Sequence, residues 1–248
     1  MDPSKDPPHA APGPPPTVPA EARQRLRLTY GRSAQAAGVP PKEIGAAWEA
    51  GMAASGLPIA GLDLPAPRPR VVFGAPVPVG VVTERELLDV FLVTRTPIAD
   101  ARAAINRALP PGHELVDLHD VWLGEPALPG QVCAADYRLR VGAADGSPLE
   151  LASLATACAQ LLAARTLPRT RDKAGRTISY DLRPLLASAS AAVVDPHNVA
   201  TLRIRTRFDQ ERGVGRPDEV VAAIADVLGV PLTIEETVRE RLVLIGET

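Results

Sequence analysis

The chain has 248 residues, of which 46% are apolar and only 3% aromatic, and its formal net charge is −2. That supports a sizeable core built from Ala, Val, Leu and Ile, and it excludes a protein whose whole surface is a nucleic-acid footprint, leaving only a local basic face open. Two cysteines, Cys133 and Cys158, exclude a disulfide framework and any four-cysteine zinc or cluster site.

Residues 1–21 are dominated by proline from Pro3 to Pro19 and hold almost no large apolar side chain, which predicts a disordered tail of polyproline-II character. From Gln24 to Tyr30 the residues alternate, with Leu26, Leu28 and Tyr30 on one face and Arg25, Arg27 and Thr29 on the other, the period of a half-buried strand. After Pro40 and Pro41, the spacing of Ile44, Trp48 and Met52 predicts a helix. A Pro-rich loop, the short run Val71 to Phe73 and a strand over Glu86 to Thr94 follow. Pro97 then opens a helix with Ile98, Ala101, Ile105 and Leu109 on its buried stripe, and His113 to Leu123 alternates as a strand.

This β-α-β-β-α-β order predicts an α+β fold with a ferredoxin-like, split βαβ arrangement. The order recurs as a strand over Asp136 to Val141, a helix over Leu149 to Ala164, strands over Arg176 to Leu182 and Thr201 to Phe208, and a helix over Pro217 to Leu228. Thr233 to Ile245 suits helix or strand. Two ferredoxin-like lobes in tandem, 22–126 and 131–248, are therefore expected, with a boundary near Gly124 to Gly130. No apolar run approaches the ~20 residues of a membrane span, and no apolar leader opens the chain, so a cytoplasmic protein without membrane contact is expected.

His113, Asp117 and His119 have metal-ligand chemistry, but a strand spreads such side chains over roughly 20 Å, so neither a metal nor a cofactor is expected. Gly213-Val-Gly-Arg-Pro217 precedes a helix but lacks any nucleotide-binding pattern, and a turn needing glycine freedom is the plainer reading. Cys158, on a Leu/Ala-rich helix, is expected to be a small buried hydrophobe. The sharpest local feature is basic. Arg203, Arg205 and Arg207 share one strand face, as do Arg25 and Arg27, and with Arg183 and Arg216 they form the candidate anion- or RNA-binding set. No aromatic interleaves with them, so phosphate contact rather than base stacking would dominate. A solvated strand face paired with acids on neighbouring strands is the competing reading.

Arg68–Leu92 (RPRVVFGAPVPVGVVTERELLDVFL), Asn106–Gly112 (NRALPPG), Ala134–Arg138 (AADYR), Tyr180–Leu186 (YDLRPLL) and Gly215–Val220 (GRPDEV) together resemble the radical-SAM-linked proteins, also described as the DUF2344 domain. Residues 31–38 and 60–67 depart from that family's pattern. The resemblance implies a chain encoded beside, or fused to, a radical S-adenosylmethionine enzyme. Such an enzyme needs three closely spaced cysteines for its cluster, which this chain lacks, so the cluster would be a partner's. The expected function is a non-catalytic accessory protein presenting a substrate, an RNA among the candidates, to that partner. The alternatives are an RNA-processing protein using His197, Arg207 and Arg216 around a ribose hydroxyl, and a purely structural interaction module.

Overall fold

The computed structural model describes residues 20–173 and 175–247. The expected tail lies outside them except for Ala20 and Glu21. In chain order the elements are β1 (Gln24–Arg32), α1 (Ala34–Ala37), α2 (Pro41–Ala54), β2 (Val71–Phe73), β3 (Val81–Leu92), α3 (Ile98–Ala108), β4 (His113–Val121), α4 (Leu128–Gln131) and β5 (Val132–Ala143). They continue with α5 (Leu151–Ala163), β6 (Pro168–Lys173), β7 (Arg176–Asp181), β8 (Leu186–Val194), β9 (Ala200–Asp209), β10 (Gly213–Val214), α6 (Pro217–Leu228) and β11 (Leu232–Leu244). None of the described helices is long and apolar enough to cross a membrane.

Local chemistry sets the helix limits. Pro41 and Pro217 occupy first-turn positions, where a missing N–H costs nothing and the fixed φ suits the helix. Asp218 and Glu219 add charge favourable to the α6 N-terminus, and Gly229 leaves the helix at a φ of 66° that other residues adopt at a cost.

One mixed sheet of nine strands runs in the order β10-β9-β5-β11-β3-β1-β4, with β2 also paired to β3 and β8 to β9. The two halves of the chain, expected from sequence to form separate lobes, contribute strands to a single sheet. The first half runs β4-β1-β3-β2 and the second β11-β5-β9-β8. The two meet where β11 lies parallel to β3, through Thr237–Arg239 and Val81–Thr83. Two expectations change. The strand expected at Arg176–Leu182 pairs with β6 in a separate hairpin, and its place in the sheet is taken by β8, whose Ala- and Ser-rich sequence carries little β signal. Thr233–Ile245, open between helix and strand, forms β11.

Two apolar clusters occupy one face of the sheet. One packs α5 and α6 on Tyr137, Leu139, Leu202 and Ile204, and the other packs α2 and α3 on Leu26, Leu28, Leu88 and Val90. The opposite face is uncovered over β5 and β9, whereas over β1 it is closed by the segment leading into α4. There Arg25 and Arg27, 2% and 5% exposed, converge on Asp89, which is 0% exposed. Arg25 donates to Asp89 Oδ2 at 2.8 Å and 2.5 Å and to the Glu125 and Pro126 carbonyls, while Arg27 donates to both Asp89 oxygens. These arginines are therefore interior, because β1 is buried on both faces.

Asp89→Ala leaves buried Arg25 without an anion and Arg27 with only Glu125, at 3.8 Å, and is expected to cost about 3–5 kcal/mol, read as a lowered urea midpoint with an unchanged slope.

Candidate functional site

Where β11 meets β3, five neighbouring strands hold Tyr137, Arg239, Thr83, Arg32 and His113 opposite one another in register. Residues opposite one another in a sheet point to the same face, here the helix-covered one. The result is a transverse polar row in the seam between the two apolar clusters. Tyr137, Arg239, Thr83 and Arg32 are all under 5% exposed.

Arg239 is fully matched. Its Nε and Nη2 donate to the two Glu86 oxygens at 2.6 Å and 2.5 Å, and its Nη1 donates to the Pro76 carbonyl at 3.0 Å. Burial alone would push its pKa down; the Glu86 carboxylate outweighs this and holds the guanidinium charged.

Arg32 is not matched. Its Nη2 donates to the carbonyls of Pro78 and Val81, yet Nε and Nη1 are buried without a partner. With two guanidinium groups and one carboxylate, the row carries an uncompensated positive charge, and burial pushes the Arg32 pKa down. Thr83 Oγ1 and His113 Nε2 are likewise buried and unpartnered. The His113 ring lies edge-on to Trp48 at 5.6 Å between centroids and tilted against Tyr30 at 5.9 Å. Its Nδ1 bonds to the Pro111 carbonyl at 3.1 Å, and since a carbonyl only accepts, Nδ1 carries the proton and Nε2 presents a lone pair. Burial, reinforced by the charge of Arg32, pushes its pKa down despite that bond.

Residues 74–80 cross above the row, anchored by Gly74 N–H to Leu87 and Gly80 N–H to Ala37, and three cavities border it. One of about 410 Å³ lies among Tyr30, Arg32, Lys42, Phe73 and Val77. A second, of about 450 Å³, lies among Val79, Tyr137, Phe208, Arg216 and Arg239. The third, about 340 Å³, is walled by Arg32, Ser33, Thr83, Gly112 and His113.

Of the candidate binding and metal-ligating side chains singled out from sequence, only His113 and Arg216 lie there. Arg216 is paired with Asp218 at 2.8 Å and lines the second cavity with Arg239. Arg25 and Arg27 are buried against Asp89, out of reach of a nucleic acid. Arg183 donates to the carbonyls of Leu162, Ala164 and Leu186, closing the C-terminus of α5. Arg203, Arg205 and Arg207 do share the uncovered face, where acids of adjacent strands answer most of their charge. Arg205 and Arg241 grip Asp136, Arg138 bridges Glu84 and Glu240, and Arg203 approaches Glu240 at 3.8 Å. Arg207 is exposed and donates to the Pro184 and Leu186 carbonyls. His197 sits in the turn before β9, at the opposite end of that strand from Arg207, so roughly 20 Å separates them and they do not form one centre.

The odd numbering of His113, Asp117 and His119 in a regular strand would put all three on one face, but they do not share one. The register slips where Thr29 pairs with Asp117 and Tyr30 with Leu115, so His113 faces the covered side and the other two the opposite one. Among the described residues no cluster of three or more His, Cys, Asp or Glu could hold a metal ion. A Cβ on Gly215 would lie 2.7 Å from the Leu185 carbonyl, so that glycine answers a close backbone approach.

Sequence reasoning missed Arg32, Thr83, Glu86 and Arg239. A signal existed for Arg32: continuing the alternation Leu26, Leu28, Tyr30 by one step places an arginine on the apolar face.

Fold and site together define a mixed α/β protein built on one large mixed sheet, with a cationic seam between two helix-covered cores. Residues 25–216 match the family described as an uncharacterized protein conserved in bacteria, DUF2344, and the chain belongs to that family. No curated protein matches it in sequence. Among solved structures, similar chains occur in a Cbf5–Nop10–Gar1 complex (9% identity, 88% of this chain and 48% of that one, TM-score 0.48) and in an archaeal box H/ACA sRNP Nop10–Cbf5 complex (10% identity, 86% and 46%, TM-score 0.45). A third is a putative glycine cleavage system transcriptional repressor (12% identity, 88% and 98%, TM-score 0.24). The chain spans about half the length of the first two.

Burial would raise the Asp136 pKa, but the bonds from Arg205 and Arg241 hold it below the usual carboxylate value. A depressed pKa contributes stability above the unfolded value, about 3.9, and loses it as pH falls through the folded one. Asp136→Asn should melt lower than the parent at pH 7, and calorimetry should show the gap closing as pH drops toward 3.

Proposed function

We propose that this chain is a non-catalytic accessory protein, two ferredoxin-like units sharing a sheet, that holds an RNA over the central seam for a separately encoded radical SAM enzyme. The observation that carries the reading is the uncompensated positive charge of the transverse row beneath three cavities. A buried cation that shares its nearest buried carboxylate with a second guanidinium is costly to the free protein and attracts an anionic group from a ligand. RNA supplies such groups at every nucleotide, and exposed cations stand at the cavity rims, Lys42 over the first and Arg216 over the second. The radical SAM partner is supported by the family resemblance and by the cysteines. Cys133 donates to the Val243 carbonyl, Cys158 is buried in α5, and an iron–sulfur cluster would have to be the partner's.

The uncovered face is the competing surface, and its arginines are largely paired to acids. Fluorescence anisotropy with a structured RNA separates the two. Lys42→Ala/Arg216→Ala should weaken binding about tenfold and lower the salt slope by about 2, while Arg203→Ala/Arg207→Ala should change affinity less than about twofold. The reverse ranking, or no binding at low salt, overturns the reading. Co-purification from the native host tests the partner, and failure to recover a radical SAM enzyme counts against it.

A further inference from the structure

The third cavity allows the ligand class to be narrowed, in an inference that rests on the proposed function only for the source of the ligand. Its inner wall is Arg32, Thr83 and His113, adjacent across β1, β3 and β4, with Ser33 exposed at the mouth. The unmet hydrogen-bonding capacity there has a definite pattern. Arg32 Nε and Nη1 are donors, Thr83 Oγ1 is a donor or acceptor, and His113 Nε2 is an acceptor while the ring is neutral; Trp48 Nε1, a further unpartnered donor beside the His113 ring, lies outside the cavity lining. A matching ligand offers oxygens carrying negative charge and, beside them, one O–H.

We propose that this cavity is a receptor for a terminal phosphate monoester, bound as its monoanion with anionic oxygens on Arg32 and Thr83 and its O–H donated to His113. Depth favours a terminal group. Arg32 is 1% exposed, so an internal phosphodiester, carrying a sugar on both sides, would have to thread its chain to the floor, whereas a terminal phosphate enters on a single stalk. Protonation favours phosphate. The second pKa of a phosphate monoester is about 6, so the hydrogen-bearing monoanion is accessible near neutrality, while a carboxylate or a sulfate ester has no O–H for His113. Charge agrees with both points. The His113 ring packs on Tyr30 from β1 and Trp48 from α2 and feels the charge of Arg32, while Glu84 from β3 and Glu114 from its own strand share the cavity lining. Arg138 already holds Glu84, so the exposed Glu114 carboxylate opposes a dianion more than a monoanion.

The stalk belongs either to an RNA end or to a small phosphorylated molecule, and calorimetric titration separates the sources. The probes are inorganic phosphate, phenyl phosphate, phenyl sulfate, and one oligoribonucleotide with and without a terminal phosphate. Phenyl phosphate should bind at least about tenfold more tightly than phenyl sulfate. Above pH 7 its association constant should fall by about tenfold per unit, because the complex must take up the proton that free phosphate has lost. His113→Phe keeps a ring between Tyr30 and Trp48 and should both weaken binding and flatten that pH dependence. Thr83→Val should weaken binding and keep it.

Arg32→Met should abolish phosphate binding while the free protein melts at the same temperature or higher, since an unmatched buried charge is removed. A lower melting temperature, with no stabilisation of the parent by phosphate, would show Arg32 to be only a strut for residues 78–81 and would overturn the receptor. RNA binding indifferent to the terminal phosphate and to Arg32→Met also removes the receptor, and leaves RNA binding at the seam standing. Phenyl phosphate binding without any RNA binding supports the receptor and removes RNA as the source.

Discussion

The fold closes on one buried ion pair. Arg239 and Glu86, each 1% exposed, join the last strand of the chain to a strand of its first half, where the backbone contact between β11 and β3 spans only three residue pairs. Burying both charges costs several kcal/mol per ion before their mutual attraction is counted, so the pair's value lies in geometry as much as in net energy. A guanidinium that must meet a carboxylate through two parallel bonds tolerates no slip of register. A one-residue shift of β11 would turn Arg239 to the other face and leave Glu86 buried alone.

A second buried ion system sits on the reverse of β3 and its neighbour β1, where Asp89 accepts from Arg25 and Arg27. Together the two explain why β1 is buried along its whole length in a chain with so few aromatics. Small aliphatic side chains leave the sheet's faces shallow, and fork-shaped arginines fill depth that Phe or Trp would otherwise occupy. The aliphatic part of an arginine packs like a hydrophobe when its head is satisfied. The polar row in the seam and the charged layer behind it are thus consequences of one composition.

Much of the element order was legible because helices and strands announced themselves by period. Trp48 and Met52 marked α2, Pro217 marked the start of α6, and the alternation in Thr201–Phe208 marked β9. What stayed hidden depended on partners distant in sequence. β8 is a run of Ala and Ser that becomes a strand only by pairing with β9, and the shared sheet rests on a contact between residues 81–83 and 237–239. The arginines misled for the same reason. Alternation reports which residues share a face and is silent on whether water lies beyond it, so Arg25 and Arg203 looked equivalent although one is 2% exposed and the side chain of the other 59%.

That contrast is itself informative about the site. Arg25, Arg27 and Arg239 are each matched to a carboxylate, and Arg183 has helix-end carbonyls fixed by the backbone. Each does a job that folding alone explains. Arg32 is as deep as any of them, but two of its nitrogens face no acceptor, and its neighbours Thr83 and His113 share the defect. A chain that sets Asp89 against Arg25 and Arg27 and Glu86 against Arg239 does not lack the means to answer this one. An acid at position 83 or 113 would have sufficed by register alone. Leaving the charge open lowers the stability of the empty protein and is retained where something else supplies the anion. Single buried polar atoms without a partner also occur at Trp48, Arg171, Tyr180 and Thr206, so the site is recognised by three such residues, Arg32, Thr83 and His113, meeting at one cavity.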